Sequence, residues 1–329
     1  MDYITPVQVR SRRLFKVSAT VIGPLFASMA MVMFSLNDVA MKVLSDGYAL
    51  HQLVLIRSLV GLSVVVCIMV PLNGSLAILR TRRLGMHILR ASCVVFANLC
   101  FFLGLAALPL ADTVAIFFIS PFLITIASVI FLGEVVGSRR WSAIAVGMVG
   151  VLIVLRPGTD TFQVASILPL AAAFGYAGLH IMTRFLRETE NAVSMTFYIQ
   201  IVFIVVCVVF GLFFGDGKFA QQSNVSLAFL FREWQVPTFG DLPVMLVLGI
   251  FASIGGYCIS QAYRLGEAAI VAPVEYLAMP LGIALGVLVF GTWPDAVAWL
   301  GIGLILSSGL YTVWREYQLQ KEIPQIEPR

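Results

Sequence analysis

Runs of apolar residues long enough to cross a membrane recur along the whole chain, and no other feature of the sequence restricts its fold more. They fall near residues 19–41, 51–70, 86–106, 110–132, 139–156, 165–184, 193–214, 242–263, 268–290 and 295–314. Each is close to the roughly 20 residues that an α-helix needs to span about 30 Å of hydrocarbon. No water reaches the backbone inside such a layer, so only helices or a closed barrel of strands can cross it. A membrane strand needs only about ten residues, so these lengths point to helices. Composition agrees, with 60% of the 329 residues hydrophobic and 12% charged, and a mean hydropathy of +0.97. Soluble domains carry roughly 25% charged residues. The expected fold class is therefore an all-α membrane protein with about ten transmembrane helices, leaving little chain for an extramembrane domain.

Charge placement sets the orientation. An even number of spans puts both termini on one side. With that side cytoplasmic, fifteen of the 21 Lys and Arg lie inside: Arg10, Arg12, Arg13, Lys16, Arg80, Arg82, Arg83, Arg139, Arg140, Arg184, Arg187, Arg264, Arg315, Lys321 and Arg329. Lys42, Arg156, Lys218 and Arg232 lie outside, and Arg57 and Arg90 fall within spans. Cytoplasmic loops carry such an excess, so topology accounts for the net charge of +4 and a nucleic-acid partner has no support. The expected organisation is a cytoplasmic N-terminal segment (1–18), two five-helix units (19–156 and 165–314) and a cytoplasmic tail (315–329), in a bacterial inner membrane. The basic start followed by an apolar run ending near ASMA has the look of a signal peptide. The run continues into SLNDVAMK, past the usual length, so an uncleaved first span is expected. Cys67, Cys93, Cys100, Cys207 and Cys258 lie in apolar segments and read as small buried hydrophobes rather than disulfides or metal ligands. The longest connection, Gly215 to Asp241, contains SLAFLFREW. Its apolar part is too short to cross and is expected to lie in the interface, anchored by Phe231 and Trp234.

Two stretches match each other: ADTVAIFFISPFLITIASVIFLGE from Ala111 and AAIVAPVEYLAMPLGIALGVLVFGTWPD from Ala268. Both begin with small residues, carry a mid-span proline (Pro121, Pro280) and leave through a glycine (Gly133, Gly291). Each is followed by a Trp- and Gly-bearing span. An odd number of spans per half makes the second half enter from the opposite side, giving two inverted five-helix repeats with substrate expected between them near the midplane. SPFLITIASVIFLGE with GMVGVLIVLRPG, and APVEYLAMPLGIALGVLVFGTWPD with GIGLILSSGLY, resemble the EamA family of the drug/metabolite transporter superfamily over nearly the whole length. The resemblance implies a ten-helix carrier for small organic metabolites, such as amino acids and their derivatives, working without ATP. NDVAMK and HILR resemble the branch with S-adenosylmethionine permeases, and riboflavin permeases are also relatives. One departure is Thr292, where the family often has Glu, as Glu134 stands in the first half.

Ionisable groups inside hydrocarbon cost roughly 2.5 to 3.5 kcal/mol, so they turn toward a cavity or a partner. Glu275, in VEYLAMP about two turns into the ninth span, lies beside the expected cavity. Two roles stay open for it: taking up a proton or meeting a cationic substrate group, or a structural carboxylate satisfied by Arg90, His180, Gln200 or Gln261. Asp38 and Arg57 fall at similar depth toward the outer face, so a contact is expected between them. Asp112 and Lys42 sit at outer ends, and Arg90 is near enough to the inner end to snorkel. His180 is a lone histidine, suited to packing or to proton handling. Asn98, Tyr176, Gln200, Tyr257 and Gln261 are expected to face inward, because unpaired polar groups are costly in lipid. Phe117, Phe118 and Tyr276 offer rings for a planar or cationic substrate or for packing. Pro121 and Pro280 are expected to break their helices, and the glycines at 147, 150, 255, 256, 301 and 303 to let helices approach closely.

The function expected is secondary transport of a small organic molecule, with that substrate and the lipid bilayer as partners and neither cofactor nor metal. An intramembrane enzyme is the main competitor, but HExxH, GxGD and paired His or Asp sets are absent from the sequence. A lipid flippase of the same architecture is the other. The charge asymmetry predicts that a reporter fused after Arg329 is active only if it works in the cytoplasm. Activity restricted to an outside-only reporter would overturn the topology.

Overall fold

The computed structural model describes residues 6–133, 136–158, 163–265 and 271–322. Glu134 and the first residues of the ninth predicted span lie outside this set. All regular secondary structure among the described residues is helical. The first half contains α1 (Pro6–Leu44), α2 (Leu50–Val64), α3 (Leu84–Ala107), α4 (Leu110–Phe117), α5 (Ser120–Leu132) and α6 (Ser138–Leu155). The second contains α7 (Ile167–Leu186), α8 (Ala192–Phe214), the short α9 (Val225–Phe231), α10 (Leu242–Leu265), α11 (Ala278–Phe290) and α12 (Ala296–Glu322). Among the described residues, seven helical segments are long and apolar enough to cross a membrane. Three more apolar ones, Trp141–Leu155, Val274–Phe290 and Ala296–Tyr311, are shorter. The described parts of the ten predicted runs are thus mainly helical, while length and composition support crossing for seven.

The matched prolines sit at matched breaks. Helix α4 stops at Phe117, and the chain re-forms as α5 with Pro121 as its second residue. Backbone N–H groups in a first turn have no helical acceptor, so a proline there loses no hydrogen bond. In the second half a 3₁₀ turn, Ala272–Leu277, precedes α11, and Pro280 lies in the first turn of that helix. Both broken segments end on a left-handed glycine, Gly133 at φ 67° and Gly291 at φ 65°, a conformation without penalty for a residue lacking Cβ. Thr292 hydrogen-bonds the Gly286 carbonyl through its hydroxyl at 3.1 Å, so the residue departing from the family pattern closes the helix end.

Helices of one half pack chiefly on helices of the other. The first helix of each half lies on the third of the other (α1 with α10, α7 with α3). The second helices pair (α2 with α8), as do the fifth (α6 with α12). The fourth of each half reaches the first of the other (α5 with α7, α11 with α1). This pattern is unchanged when the halves are exchanged. At the α6–α12 crossing, a Cβ on Gly150 would meet the Gly301 carbonyl oxygen at 2.8 Å, and one on Gly301 the Gly150 oxygen at 2.7 Å. The expectation of close approach fails at Gly303, where nothing lies within 4 Å, and at Gly256, where a Cβ would meet only Thr196 Cγ2 at 3.9 Å.

The expectation that all five cysteines are buried needs correction. Cys67 is exposed on the outside of its helix and Cys93 is only partly covered, whereas Cys100, Cys207 and Cys258 are buried. The segment containing α9, expected in the interface, also docks on protein, which leaves that expectation standing: Phe229 is 1% exposed, and the Ser226 hydroxyl donates to the Leu103 carbonyl at 2.7 Å.

Replacing Gly301 with Ala forces backbone apart and is expected to lower stability by about 1–3 kcal/mol, the usual cost of overpacking. Gly303→Ala is expected to be neutral or slightly stabilising, and thermal unfolding in detergent compares the two.

Candidate functional site

Because the halves meet through crossing helices, their centre is not filled. A cavity of about 1300 Å³, counted to its open mouth, is lined by α1, α2, α3, α4, α7, α8, α10 and α11 with the turn before it. Most of its wall is aromatic or aliphatic, including Phe34, Phe101, Phe102, Phe117, Phe118 and Phe203. Polar groups converge on it from opposite sides: Asp38 on α1 and Glu275 before α11, Arg57 on α2, Arg90 and Asn98 on α3, Gln200 on α8. A mainly apolar cleft with few converging polar groups has the character of a small-molecule site.

Arg57 is 4% exposed. Its Nη1 donates to Asn98 Oδ1 at 3.1 Å, and its guanidinium lies over the rings of Phe203 and Phe102, 4.9 and 5.5 Å from their centroids. Nε is buried without a hydrogen-bond partner. The contact expected between Arg57 and Asp38 is not formed, since no salt bridge within 4.0 Å joins them. Asp38 instead accepts from Asn37 Nδ2 at 3.2 Å. Similar depth brings both onto the cavity wall, but aromatic faces and an amide hold the cation where a carboxylate was expected.

Glu275 is 5% exposed and lines the cavity. Two tyrosines satisfy it: Tyr176 donates to Oε2 at 3.2 Å and Tyr263 donates to Oε1. None of the four partners expected from the sequence does so. His180 joins the same cluster through ring contacts with Tyr176 (4.3 Å) and Tyr263 (4.4 Å), and its Nε2 has no hydrogen-bond partner. Carboxylate, phenols and imidazole therefore form one continuous group, buried except at Tyr176, which is half-buried on the cavity wall.

Arg90 does not snorkel. It is 3% exposed, and its fork joins three helices to α3: Nε to Thr183 Oγ1 (2.8 Å), Nη1 to the Met195 carbonyl (3.2 Å) and Nη2 to Ser260 Oγ (3.3 Å). The planar guanidinium, with five donors, suits this better than reaching for the headgroups. Lys42, expected at the interface, donates to the Leu105 and Leu108 carbonyls at 2.6 and 2.7 Å.

Of the residues singled out in the sequence, Glu275, Asp38, Arg57, Asn98, Phe117, Phe118, Tyr176 and Gln200 line the cavity. Tyr257 and Gln261 do not; Gln261 Nε2 donates to the Tyr257 hydroxyl at 3.0 Å, and the Tyr257 ring packs on Phe26. Tyr276 stacks on Phe118 from behind the wall (5.3 Å), and the two prolines shape helices without lining the space. Sequence reasoning missed Tyr263, which lies near the end of a span twelve residues before Glu275. It also missed Ser260 and Thr183 as holders of Arg90, since hydroxyls on separate helices carry no shared sequence signal.

The model of the EamA-like transporter family matches residues 21–156 and 163–314. The chain belongs to this family. A riboflavin transporter of Rhizobium johnstonii is 28% identical, over 93% of this chain and 95% of that one. A riboflavin transporter of Vibrio cholerae is 29% identical, over 80% and 85%. An S-adenosylmethionine uptake transporter of Rickettsia bellii is 26% identical, over 88% and 92%. One solved crystal structure superposes with a TM-score of 0.62 at 16% identity, covering 92% of this chain and 99% of that one, a likeness of fold alone. This protein is thus an integral membrane member of a transporter family whose two matched repeats are the two halves described above.

Arg90→Met would leave Thr183, Ser260 and the Met195 carbonyl without their donor. Both hydroxyls keep their bonds to the Leu179 and Gly256 carbonyls, so the cost is the three lost bonds to a charged donor. At about 1 kcal/mol or more for each, the temperature of thermal unfolding of the purified variant should fall by several degrees even where ligand binding persists.

Proposed function

We propose that this protein is a secondary carrier that moves a flat heteroaromatic metabolite of the riboflavin kind across a bacterial cytoplasmic membrane by alternating access. In this reading ten helices cross the membrane as two inverted five-helix halves, with both termini cytoplasmic. The observation that carries it is the cavity between the halves, where aromatic faces and a few polar groups converge. A flat ring system with hydrogen-bonding edges suits such a wall, since aromatic surfaces bury it and convergent donors and acceptors fix its orientation. Relatives of similar length are named for riboflavin and S-adenosylmethionine, which both carry a flat heteroaromatic ring, and this supports a substrate bearing such a ring.

Each residue then has a role. Phe117, Phe118 and Phe101 supply faces for the ring, while Arg57 and Asn98 offer donors and an amide to its polar edge. Asp38 faces a cationic or donor group on the far wall. Glu275 carries the coupling proton: it is buried, it opens onto the cavity, and the groups around it are the phenols of Tyr176 and Tyr263, with His180 and Arg90 behind them. Among the described residues no cation lies within salt-bridge distance of it, so its occupancy by a proton can alternate as access changes. The protein acts as a carrier, not a catalyst.

Glu275→Gln keeps shape and hydrogen bonding while removing titration. Uptake of labelled riboflavin by proteoliposomes is expected to be largely lost in this variant, or to lose its dependence on pH, with the protein still folded. Wild-type rates with an unchanged pH profile would make Glu275 purely structural.

A further inference from the structure

The two faces of the molecule carry equivalent fastenings, named here inner and outer after the sequence assignment. On the outer face the linker between α8 and α10 crosses to the turn between α1 and α2. Arg232 Nη1 donates to the Ser45 and Tyr48 carbonyls at 2.5 and 3.3 Å. Gln52 and Gln235 pair reciprocally, side chain to backbone, at 2.5 and 3.1 Å. The Tyr48 hydroxyl accepts from Thr238 N at 3.1 Å and donates to Asp241 Oδ2 at 2.6 Å.

On the inner face the linker between α2 and α3 crosses to the turn between α7 and α8. Asn191 Nδ2 donates to the Ile78 carbonyl (3.0 Å), Tyr198 to the Leu79 carbonyl (2.9 Å) and Thr81 Oγ1 to Glu190 Oε1 (2.6 Å). The buried His87 lies 3.2 Å from Glu190 Oε2. In both places the linker after the second helix of one half grips the junction of first and second helices in the other half. Exchanging the halves exchanges the two fastenings.

We infer that these two linkers are the gates of the carrier, an outer clasp and an inner clasp of the same design, and that each must release in turn while the other holds. This rests on the alternating-access reading above and adds to it the groups that must part. The cavity lies between the two clasps, and each ties together the two halves that would have to separate to open it on that face. Hydrogen bonds suit the purpose better than apolar packing would. They are directional and hold the closed geometry, yet a clasp that opens into water exchanges them for bonds to solvent at small net cost. A loop serving only as a connector has no need for such tethering, and still less for a counterpart at the equivalent place on the opposite face.

The test uses Ala252→Cys on the cavity wall as a reporter, with the five native cysteines replaced by Ala or Ser. A membrane-impermeant thiol reagent is added to vesicles from one side at a time. Weakening the outer clasp by Tyr48→Phe with Gln52→Ala is expected to raise labelling from outside about fivefold to tenfold, the effect of losing about one net hydrogen bond. Weakening the inner clasp by Thr81→Val with Glu190→Gln should lower labelling from outside and raise it from inside. Single changes at Gln52 and Thr81 replace the pairs if size-exclusion profiles show that a double variant fails to fold. Labelling that shifts in the same direction in both variants, or by less than about twofold in either, overturns the clasps. Riboflavin uptake by the wild-type protein is measured separately, so its absence would count against the substrate reading while the labelling still decides the gates.

Discussion

Charge and polarity inside a hydrocarbon layer must be satisfied by the protein itself, because no water is there to do so. That constraint orders this structure from the helices upward. It makes the described apolar runs mainly helical, and it turns the ionisable side chains of the spans inward, where Arg57, Arg90 and Glu275 are 3–5% exposed. Among the described residues at the cavity, it does not join opposite charges in a direct ion pair. Both arginines are held by neutral groups, an amide and two rings for Arg57, two hydroxyls and a carbonyl for Arg90. Glu275 is held by two phenols. A buried ion pair would neutralise itself and offer a ligand little. Arginines held by neutral dipoles stay beside the cavity without a directly bonded anion, while their desolvation is partly compensated.

Much of this was legible in the sequence, for a reason the same constraint supplies. The lipid dictates composition along each span, so the runs, their approximate ends and the kinship of the stretches from Ala111 and Ala268 are written in residue type alone. The paired prolines and glycines correspond to real breaks and left-handed helix ends at Gly133 and Gly291. The place of Glu275 beside a cavity between the halves was readable too, and the residue lines that space.

Azimuth around a helix and the identity of neighbours were not readable. A position in the sequence gives height in the membrane, whereas the face that a side chain occupies depends on which other helices surround it. Arg90 looked able to reach the headgroups because its height allowed that, and Thr183 and Ser260 on other helices hold it inside instead. Asp38 and Arg57 share a height but are held by different neighbours. Tyr257 and Gln261 were expected inside as polar residues, and they satisfy one another away from the cavity. In each case the deciding partner lies on an element remote in sequence, and one chain by itself does not disclose the pairing.

The exchange of contacts between halves connects architecture to transport. Each helix of one repeat leans on a helix of the other, so no half can move without altering the wall of the space between them. A site built there changes its exposure whenever the halves rock. The most direct test of a carrier built this way is counterflow of riboflavin in proteoliposomes holding only the purified protein, without ATP. Vesicles loaded with unlabelled riboflavin should transiently accumulate labelled riboflavin above its outside concentration, because one cavity serves both faces in alternation. Labelled riboflavin that only equilibrates, at the same rate whether or not the vesicles are preloaded, would contradict the account.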